Sequence, residues 1–151
     1  MTDTTHSEAT KKMWSMIKGI GSAMMTTEDG GALRARPMVA AQKEFDGSLW
    51  FFTRASSHKV QEAARNAVCV TYADGGQQNY VSLSGHAELV RDKATCAAHW
   101  TEPMRTWFPG GKDDPELAML KVHVVHAYGY VKAVLTGKSP HPGENEKLTF
   151  S

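Results

Sequence analysis

A strict alternation of apolar and polar residues marks positions 79–90 of the chain. The apolar set is Val81, Leu83, Gly85, Ala87 and Leu89, and the polar set between them is Tyr80, Ser82, Ser84, His86 and Glu88. A period of two is that of a β-strand with one buried and one polar face, which suits the wall of an antiparallel barrel. Gly85 in the middle of this strand predicts a bend or a bulge.

Further stretches have the bulky and β-branched composition that favours strands. They are residues 22–27, 33–41, 48–53 and 67–73, and a last strand or two is expected within 121–135. Asp29-Gly30-Gly31 and Asp46-Gly47 supply tight turns between them. The pattern therefore predicts a mainly β fold.

Helical spacing begins near the N-terminus. Thr5-x-x-Glu8 is a capping-box signature. It is followed by an apolar stripe that consists of Met13, Met16, Ile17 and Ile20. The spacing predicts an amphipathic helix over 5–18, which Gly19 and Gly21 are suited to end.

Three more helices are predicted further along the chain. A second apolar stripe predicts a helix over 56–66 with Ser56 or Ser57 as its N-cap. Two short helices are predicted over 92–98 and 114–120, each with an aspartate as its N-cap. These elements would flank the strands.

Composition and charge narrow the class of protein. The 151 residues predict one domain over 1–135 and a loosely ordered tail over 136–151. A formal net charge of +1 gives no reason to expect a nucleic-acid partner. No run approaches eighteen apolar residues, and the first thirty residues lack a continuous apolar segment, so neither a membrane span nor a signal peptide is expected. Two cysteines without scaffold spacing favour a reducing, cytoplasmic location.

His58 and Lys59 stand in the first turn of the predicted 56–66 helix. A helix N-terminus is the positive end of the macrodipole, so a basic residue there forgoes roughly 0.3–1 kcal/mol. An anion held by free N–H groups, the serine hydroxyls and the Lys59 ammonium would resolve this conflict. A solvated lysine explains the segment equally well when it is considered alone.

Two arginines lie close together in the predicted second strand. Alternation puts Arg34 and Arg36 on one face, with Leu33 and Val39 on the other. Pro37 cannot donate to a ladder and indicates a strand edge, a bulge or a backbone that a ligand approaches. Arginines in this arrangement either form a solvated strand face or are positioned to bind an anion.

Residues 100–112 combine loop composition with three large aromatic side chains, those of Trp100, Trp107 and Phe108. Such side chains either pack against the protein itself or a partner subunit, or they form a binding surface.

Metal and hydrolytic sites are poorly supported. His123-x-x-His126 on a strand is expected to point to opposite faces, and no cluster has ligand spacing. Ser82, Ser84 and His86 share a strand face, but no oxyanion loop accompanies them. No metal is therefore predicted.

Ordered motifs carry a resemblance to the pyridoxamine 5'-phosphate oxidase-like split-barrel flavoproteins, in the branch of the general stress proteins. The motifs are Leu33-x-x-Arg36-Pro37-Met38, Leu49 to Thr53, Ser57-His58-Lys59-Val60, Tyr80 to Gly85, and Trp107-Phe108-Pro109-Gly110-Gly111-x-Asp113-Asp114-Pro115. The resemblance covers about residues 10–130. It implies a six-stranded antiparallel split β-barrel that forms a homodimer, with FMN in two grooves at the subunit interface.

The resemblance also implies a set of cofactor-binding residues. Carried over by position, the set is Arg36, Pro37, Met38, Val39, Phe52, Thr53, Ser57, His58, Lys59, Tyr80 and Trp107. Arg36, Ser57 and Lys59 would hold the FMN phosphate, which agrees with the independent argument about the helix start.

The remaining members of the set would surround the flavin itself. The backbone at Met38 and Val39 would line the flavin, and Phe52 and Thr53 would border the ribityl chain and ring. Tyr80 falls where the oxidases place a glutamine that reaches the flavin. Trp107 would cap the ring, either from the same subunit or from the second one.

Departures from the oxidase pattern bear on the substrate. His58 replaces an arginine, Ala41 replaces a lysine, and the tail from Thr136 lacks the oxidases' basic and aromatic residues for pyridoxal phosphate. The sequence therefore favours an FMN-binding stress protein, and a flavin-dependent reductase of an unidentified small molecule is the leading hypothesis.

Four alternatives stay open at this point. They are a non-catalytic flavin-binding or flavin-buffering protein, pyridoxamine 5'-phosphate oxidase itself, a split barrel that takes FAD or a deazaflavin, and a haem protein with His58 or His86 as the axial ligand.

Overall fold

The computed structural model describes residues 8–57, 67–77, 79–130 and 146–149. The helices in this part are α1 (Glu8–Ile20) and α2 (Lys93–His99), with short 3-10 segments at Glu102–Thr106 and Gly111–Asp113. The strands are β1 (Ser22–Asp29), β2 (Ala32–Val39), β3 (Ser48–Arg54), β4 (Ala67–Asp74), β5 (Asn79–Val90), β6 (Leu117–Tyr130) and β7 (Glu146–Thr149). Most of the helix predicted over 56–66 lies outside the described residues, from His58 and Lys59 onward.

Six strands of one antiparallel sheet follow the order β2-β1-β4-β5-β6-β3, and β7 joins the same sheet beside β6. Its two edge strands meet where Ala40 forms an isolated antiparallel bridge with Phe51. Beside the bridge, the Ala41 amide donates to the Trp50 carbonyl at 2.9 Å. The sheet therefore curls round to its own edge, and the predicted six-stranded split barrel is confirmed.

The β1–β2 hairpin follows from its turn residues. Gly30 and Gly31 adopt φ values of 59° and 86°, and they connect strands whose first pair is Asp29 with Ala32. Two consecutive positive φ angles define the hairpin turn whose twist matches that of the strands, and glycine adopts them at no steric cost.

Gly85 marks the predicted bulge, because the β5–β6 register shifts between Ser84 and Gly85. A Cβ at Gly85 would clash with the His123 carbonyl, so the two backbones approach more closely here than a side chain allows. The shift also corrects a prediction. His123 pairs with His86, and His126 pairs with Ser84, so the two histidines share the outer face of β6 instead of pointing to opposite faces. The extra residue of the bulge reverses the alternation between them.

Apolar side chains fill the barrel from both helix and strands. Met13 and Ile17 of α1 are 4% and 1% exposed and join a barrel core. The core's strand residues include Met25, Met38, Leu49, Phe51, Val70, Tyr72, Leu83, Leu120 and Val122. The predicted stripe on α1 is thus a packing face. The helix ends at Ile20, where Gly21 has φ 81° and its amide donates to the Ile17 carbonyl.

A second apolar cluster lies outside the barrel, under α2 and the 3-10 segments. Its buried members are Trp50, Phe52, Cys96, Phe108, Leu117 and Met119. We call it the outer cluster. The Asp92 carboxylate caps α2, as predicted, by accepting from the Thr95 amide at 3.0 Å.

One prediction near the end of the chain is wrong, and the structure adds a strand within the tail. No helix opens at Asp114, because its carboxylate accepts from the Gly110 and Glu116 amides and holds a turn that leads into β6. Residues 146–149 of the tail form a strand. β3 pairs with β6 only as far as His123, and β7 pairs with the next part of β6, from His126 to Gly129. Backbone groups of β6 beyond the end of β3 need hydrogen-bond partners, and β7 supplies them.

Among the described residues, no helix combines the length and apolar character needed to cross a membrane.

Candidate functional site

The barrel is incompletely closed between β2 and β3. In the described part of the chain the two strands pair only through the bridge between Ala40 and Phe51. Because the bridge is antiparallel, counting away from it sets Met38 opposite Thr53 and Arg36 opposite Ala55. We call this opening, from the bridge to the turn after β3, the β2–β3 seam.

Arg36 borders the seam as a half-buried cation. It shares a strand face with Met38, which is 3% exposed, so this arginine face turns toward the barrel interior. Its Nη1 donates to the Thr27 hydroxyl at 3.0 Å, and Thr27 is itself 1% exposed. This bond fixes the direction of the guanidinium group, which carries five donors in all.

The opposite face of β2 is apolar and exposed. Leu33 and Val39 are 77% and 58% exposed, and Pro37 is exposed between them. The alternation predicted for this strand is confirmed, but it is the apolar residues that face outward.

The other side of the seam is the end of β3 and the turn that follows it. Phe52 and Thr53 are 8% and 2% exposed. The turn is closed by the Ser57 amide, which donates to the Arg54 carbonyl at 3.0 Å. Ser57 is half-buried, and its hydroxyl forms no hydrogen bond within the described part of the chain.

The neighbouring Ser56 is held differently. Its hydroxyl donates to Glu116 Oε2 at 2.7 Å, and its amide donates to the same oxygen at 3.3 Å. The Ala55 amide also donates to the Glu116 carbonyl at 2.9 Å. The bonds from the Ser56 hydroxyl and amide hold the pKa of Glu116 below its ordinary value, because they stabilise the carboxylate.

Trp107 lies on the loop that faces this turn. Arg54 Nη2 donates to the Trp107 carbonyl at 3.1 Å, and the Arg54 guanidinium lies 5.9 Å from the centre of the Phe108 ring. Phe108 is 3% exposed in the outer cluster, whereas the Trp107 side chain is 62% exposed. Phe108 thus packs on the protein itself, and Trp107 remains available for binding.

Asp114 holds this loop in shape. The Glu116 and Gly110 amides donate to its carboxylate at 2.9 and 3.0 Å. The same bonds lower the pKa of Asp114.

Tyr80 is not brought to the seam within one chain. It stands at the start of β5, where it pairs with Ala73 and Tyr130. β1 and β4 separate β5 from β2, and on the other side β6 separates β5 from β3. Tyr80 is 41% exposed on the outer face.

Several residues at the seam were missed by the sequence reasoning. The hairpin register would have found Thr27, because pairing Asp29 with Ala32 sets Thr27 opposite Arg34 and therefore diagonal to Arg36 on the same face. Arg54 and Glu116 had no such signal, since their partners lie 53 and 60 positions away in the sequence.

No group of three or more histidine, cysteine or acidic side chains is placed to hold a metal ion in the described ranges. His86, a candidate axial haem ligand, is exposed on the outer face of β5.

Known proteins share this architecture. General stress protein 26 of Bacillus anthracis superposes with a TM-score of 0.76 over 95% of this chain and 100% of its own, at 17% identity, which is a likeness of fold alone. The general stress FMN/FAD binding protein of Xanthomonas citri is 27% identical, with a TM-score of 0.71 over 80% of this chain and 87% of its own.

Sequence comparisons agree with the structural ones. Protein bli-3 of Neurospora crassa is 28% identical over 118 residues, and the match spans 70% of this chain but only 56% of that protein. The model of the family described as pyridoxamine 5'-phosphate oxidase like matches residues 8–140. The chain belongs to the pyridoxamine 5'-phosphate oxidase-like family.

Proposed function

We propose that this protein is a homodimeric flavoprotein that binds FMN at the β2–β3 seam and serves as a flavin-dependent oxidoreductase. The proposal rests on one observation. The half-buried Arg36 borders one side of the seam, and the turn that contains Ser57 borders the other side. The FMN/FAD binding named for the Xanthomonas citri protein supports a flavin as the ligand.

The phosphate end of FMN fits the residues at the seam. Arg36 offers a planar fork of donors that suits phosphate oxygens, and its direction is set by Thr27. Ser57 offers a hydroxyl that has no hydrogen bond to the described residues. His58 and Lys59 follow directly in the sequence, and their contribution to phosphate binding stays a prediction.

The flavin end fits an apolar surface with backbone groups beside it. Pro37, Met38 and Val39 form the β2 side of the seam, and Phe52 and Thr53 form the β3 side. A bound flavin would supply the hydride transfer, while the protein binds and orients it and limits access of water. Trp107 is the described aromatic residue best placed to cover a ring, because its loop is tied to Arg54.

A second copy of the chain is the proposed partner. The outer face of β1 and β2 exposes Met24, Leu33 and Val39 at 41%, 77% and 58%. Large apolar side chains exposed on one face of a sheet are typical of an interface. Tyr80 lies far from the seam of its own chain, and we propose that it reaches the seam of the second chain. Nucleic acid and membrane are not proposed as partners, and the cytoplasmic location stays a prediction.

The proposal is tested by the absorption spectrum of the purified protein and by chromatography of the cofactor released on denaturation. We expect a flavin spectrum, FMN in the released fraction, and a dimer by light scattering. A colourless protein that takes up no added FMN and shows no rise in melting temperature would overturn the proposal.

Catalysis is separated from simple flavin binding by an anaerobic reduction assay. An oxidoreductase is expected to have its bound flavin bleached by NADH or NADPH. A bound flavin that neither donor reduces would favour a flavin-binding or flavin-buffering role. Oxidation of pyridoxamine phosphate is not expected, because the tail lacks the matching residues.

A further inference from the structure

We propose that Glu116 is a positioning residue that makes the site prefer phosphorylated flavin over riboflavin, by holding Ser56 so that Ser57 faces the phosphate. The inference rests on the proposed function and adds a specificity determinant to it. Glu116 itself would not touch the cofactor.

The two adjacent serines have different roles in the turn after β3. The Ser56 hydroxyl is occupied, because it donates to Glu116 Oε2 at 2.7 Å. The Ser57 hydroxyl forms no such bond among the residues that the structure describes, while its amide closes the turn on the Arg54 carbonyl. The sequence offers either serine as a helix cap or an anion ligand, and the contact with Glu116 leaves Ser57 for the ligand.

Glu116 is suited to this role because its own backbone is held on both sides. Its amide donates to Asp114 Oδ1 at 2.9 Å, and its carbonyl accepts from the Ala55 amide at 2.9 Å. Asp114 in turn holds the Gly110 amide at 3.0 Å. The carboxylate is thus presented to Ser56 from a loop that has little freedom to move.

Removing the carboxylate would release the Ser56 hydroxyl and amide together. The turn would then be held only by its backbone bonds, and the direction of Ser57 would be less fixed. A preorganised donor binds more tightly than a mobile one because less conformational entropy is lost on binding. Riboflavin lacks the phosphate, so its affinity would not change.

The experiment measures the dissociation constants of FMN and riboflavin for the full-length protein and for six variants, two of which are controls. In Ser57→Ala we expect the preference for FMN to fall about tenfold or more, which corresponds to a hydrogen bond to a charged group. Glu116→Ala and Ser56→Ala should each lower the preference for FMN over riboflavin by roughly three- to tenfold. This is the factor expected when a hydrogen bond of ordinary net strength is lost. The double variant Ser56→Ala/Glu116→Ala should equal Glu116→Ala, because the hydroxyl bond that Ser56→Ala removes is already lost when the carboxylate is removed.

Two controls accompany these variants. Glu116→Gln keeps an oxygen that accepts from Ser56 and should retain the wild-type preference to within about twofold. Glu102→Ala removes an exposed carboxylate whose partners are Arg105 and Trp100, and it should leave both affinities unchanged. If Glu116→Ala does not fold, Ser56→Ala tests the same contact from its other side.

The outcomes separate the inference from the function on which it rests. A wild-type protein that prefers FMN, with the preference intact in Glu116→Ala or in Ser56→Ala, would overturn the inference alone. Equal losses for FMN and riboflavin would also overturn it, because they would indicate a general structural role. A wild-type protein that binds both flavins equally would overturn the proposed phosphate site, and the inference with it.

Discussion

The barrel core and the outer cluster are both apolar, but they differ in composition and in what they hold. The barrel core is mostly aliphatic and methionine side chains from the strands and α1. The outer cluster is rich in aromatic residues, and its ring contacts include Phe52 with Trp100 at 6.2 Å and Phe52 with Phe108 at 6.3 Å. Only the outer cluster continues into the loop of Trp107 and Glu116.

Because of this difference, the residues that stabilise the fold are largely distinct from the residues that shape the candidate site. Residues in the barrel core contact one another, and apart from Met38 none of them is among the residues proposed to bind the cofactor. Phe108 contacts Phe52 on the strand that borders the seam, and it lies against Arg54, which binds the Trp107 carbonyl. We therefore expect changes in the barrel core to affect folding, and changes in the outer cluster to affect cofactor binding more than folding.

The largest effect is expected for Phe51→Ala in the barrel core. Phe51 is fully buried, and truncation of a buried phenylalanine costs roughly 3–5 kcal/mol of unfolding free energy. Chemical denaturation followed by tryptophan fluorescence measures this loss. Lys12→Ala on the exposed face of α1 is the control and should stay within about 0.5 kcal/mol. A loss of unfolding free energy below about 1 kcal/mol for Phe51→Ala would contradict the burial of Phe51 in the barrel core.

Gly85→Ala should destabilise the barrel by roughly 1–3 kcal/mol, because the added methyl group meets the His123 carbonyl. Gly19→Ala is the matched control, since nothing lies within 4 Å of its Cβ position on α1. There the change should be neutral or stabilising, because alanine is the better helix former. Thermal unfolding of the two variants checks the contrast, and equal melting temperatures would refute the bulge.

Phe108→Leu in the outer cluster should cost less than about 1.5 kcal/mol of unfolding free energy, as a near-conservative apolar replacement does. FMN affinity should nevertheless fall, because the contacts with Phe52 and Arg54 change. Parallel measurements of unfolding and of FMN binding test this. A variant with lower stability and unchanged FMN affinity would show that the outer cluster does not act on the site.

The smallest predicted effect is a change in how the stability of the protein depends on pH in the acid range. Ser56 lowers the pKa of Glu116, so the unfolded chain binds this proton more tightly than the folded one. The stabilisation is therefore complete above the ordinary pKa of 4.5 and is lost as the pH falls through the lower folded value. Glu116→Gln should remove this part of the pH dependence, which lies in the acid range below about pH 4.5. Identical melting curves of wild type and variant over that range would contradict the Ser56–Glu116 contact.

Local patterns predicted most of the barrel because they depend on neighbouring residues. The β1–β2 hairpin needs only its Asp-Gly-Gly turn, and the β5 strand needs only its alternation. The faces of His123 and His126 were predicted wrongly because the bulge depends on β5, a different strand. β7 could not be predicted, since it forms only where β3 leaves the edge of β6 unpaired.

The candidate site also combines residues that local motifs predict with contacts that only the folded chain creates. Arg36 and Ser57 were found from short motifs, and the fold sets their strands on the two sides of the seam. The contacts that hold them, from Thr27 and through Ser56 from Glu116, depend on pairing between distant segments.

The most direct test is a crystal structure of the protein grown with saturating FMN. The account predicts electron density for the phosphate between the Arg36 guanidinium and the Ser57 hydroxyl, with the flavin against the β2 residues Pro37 to Val39. Crystals in which the phosphate lies away from both Arg36 and Ser57, or which contain no FMN at all, would contradict it.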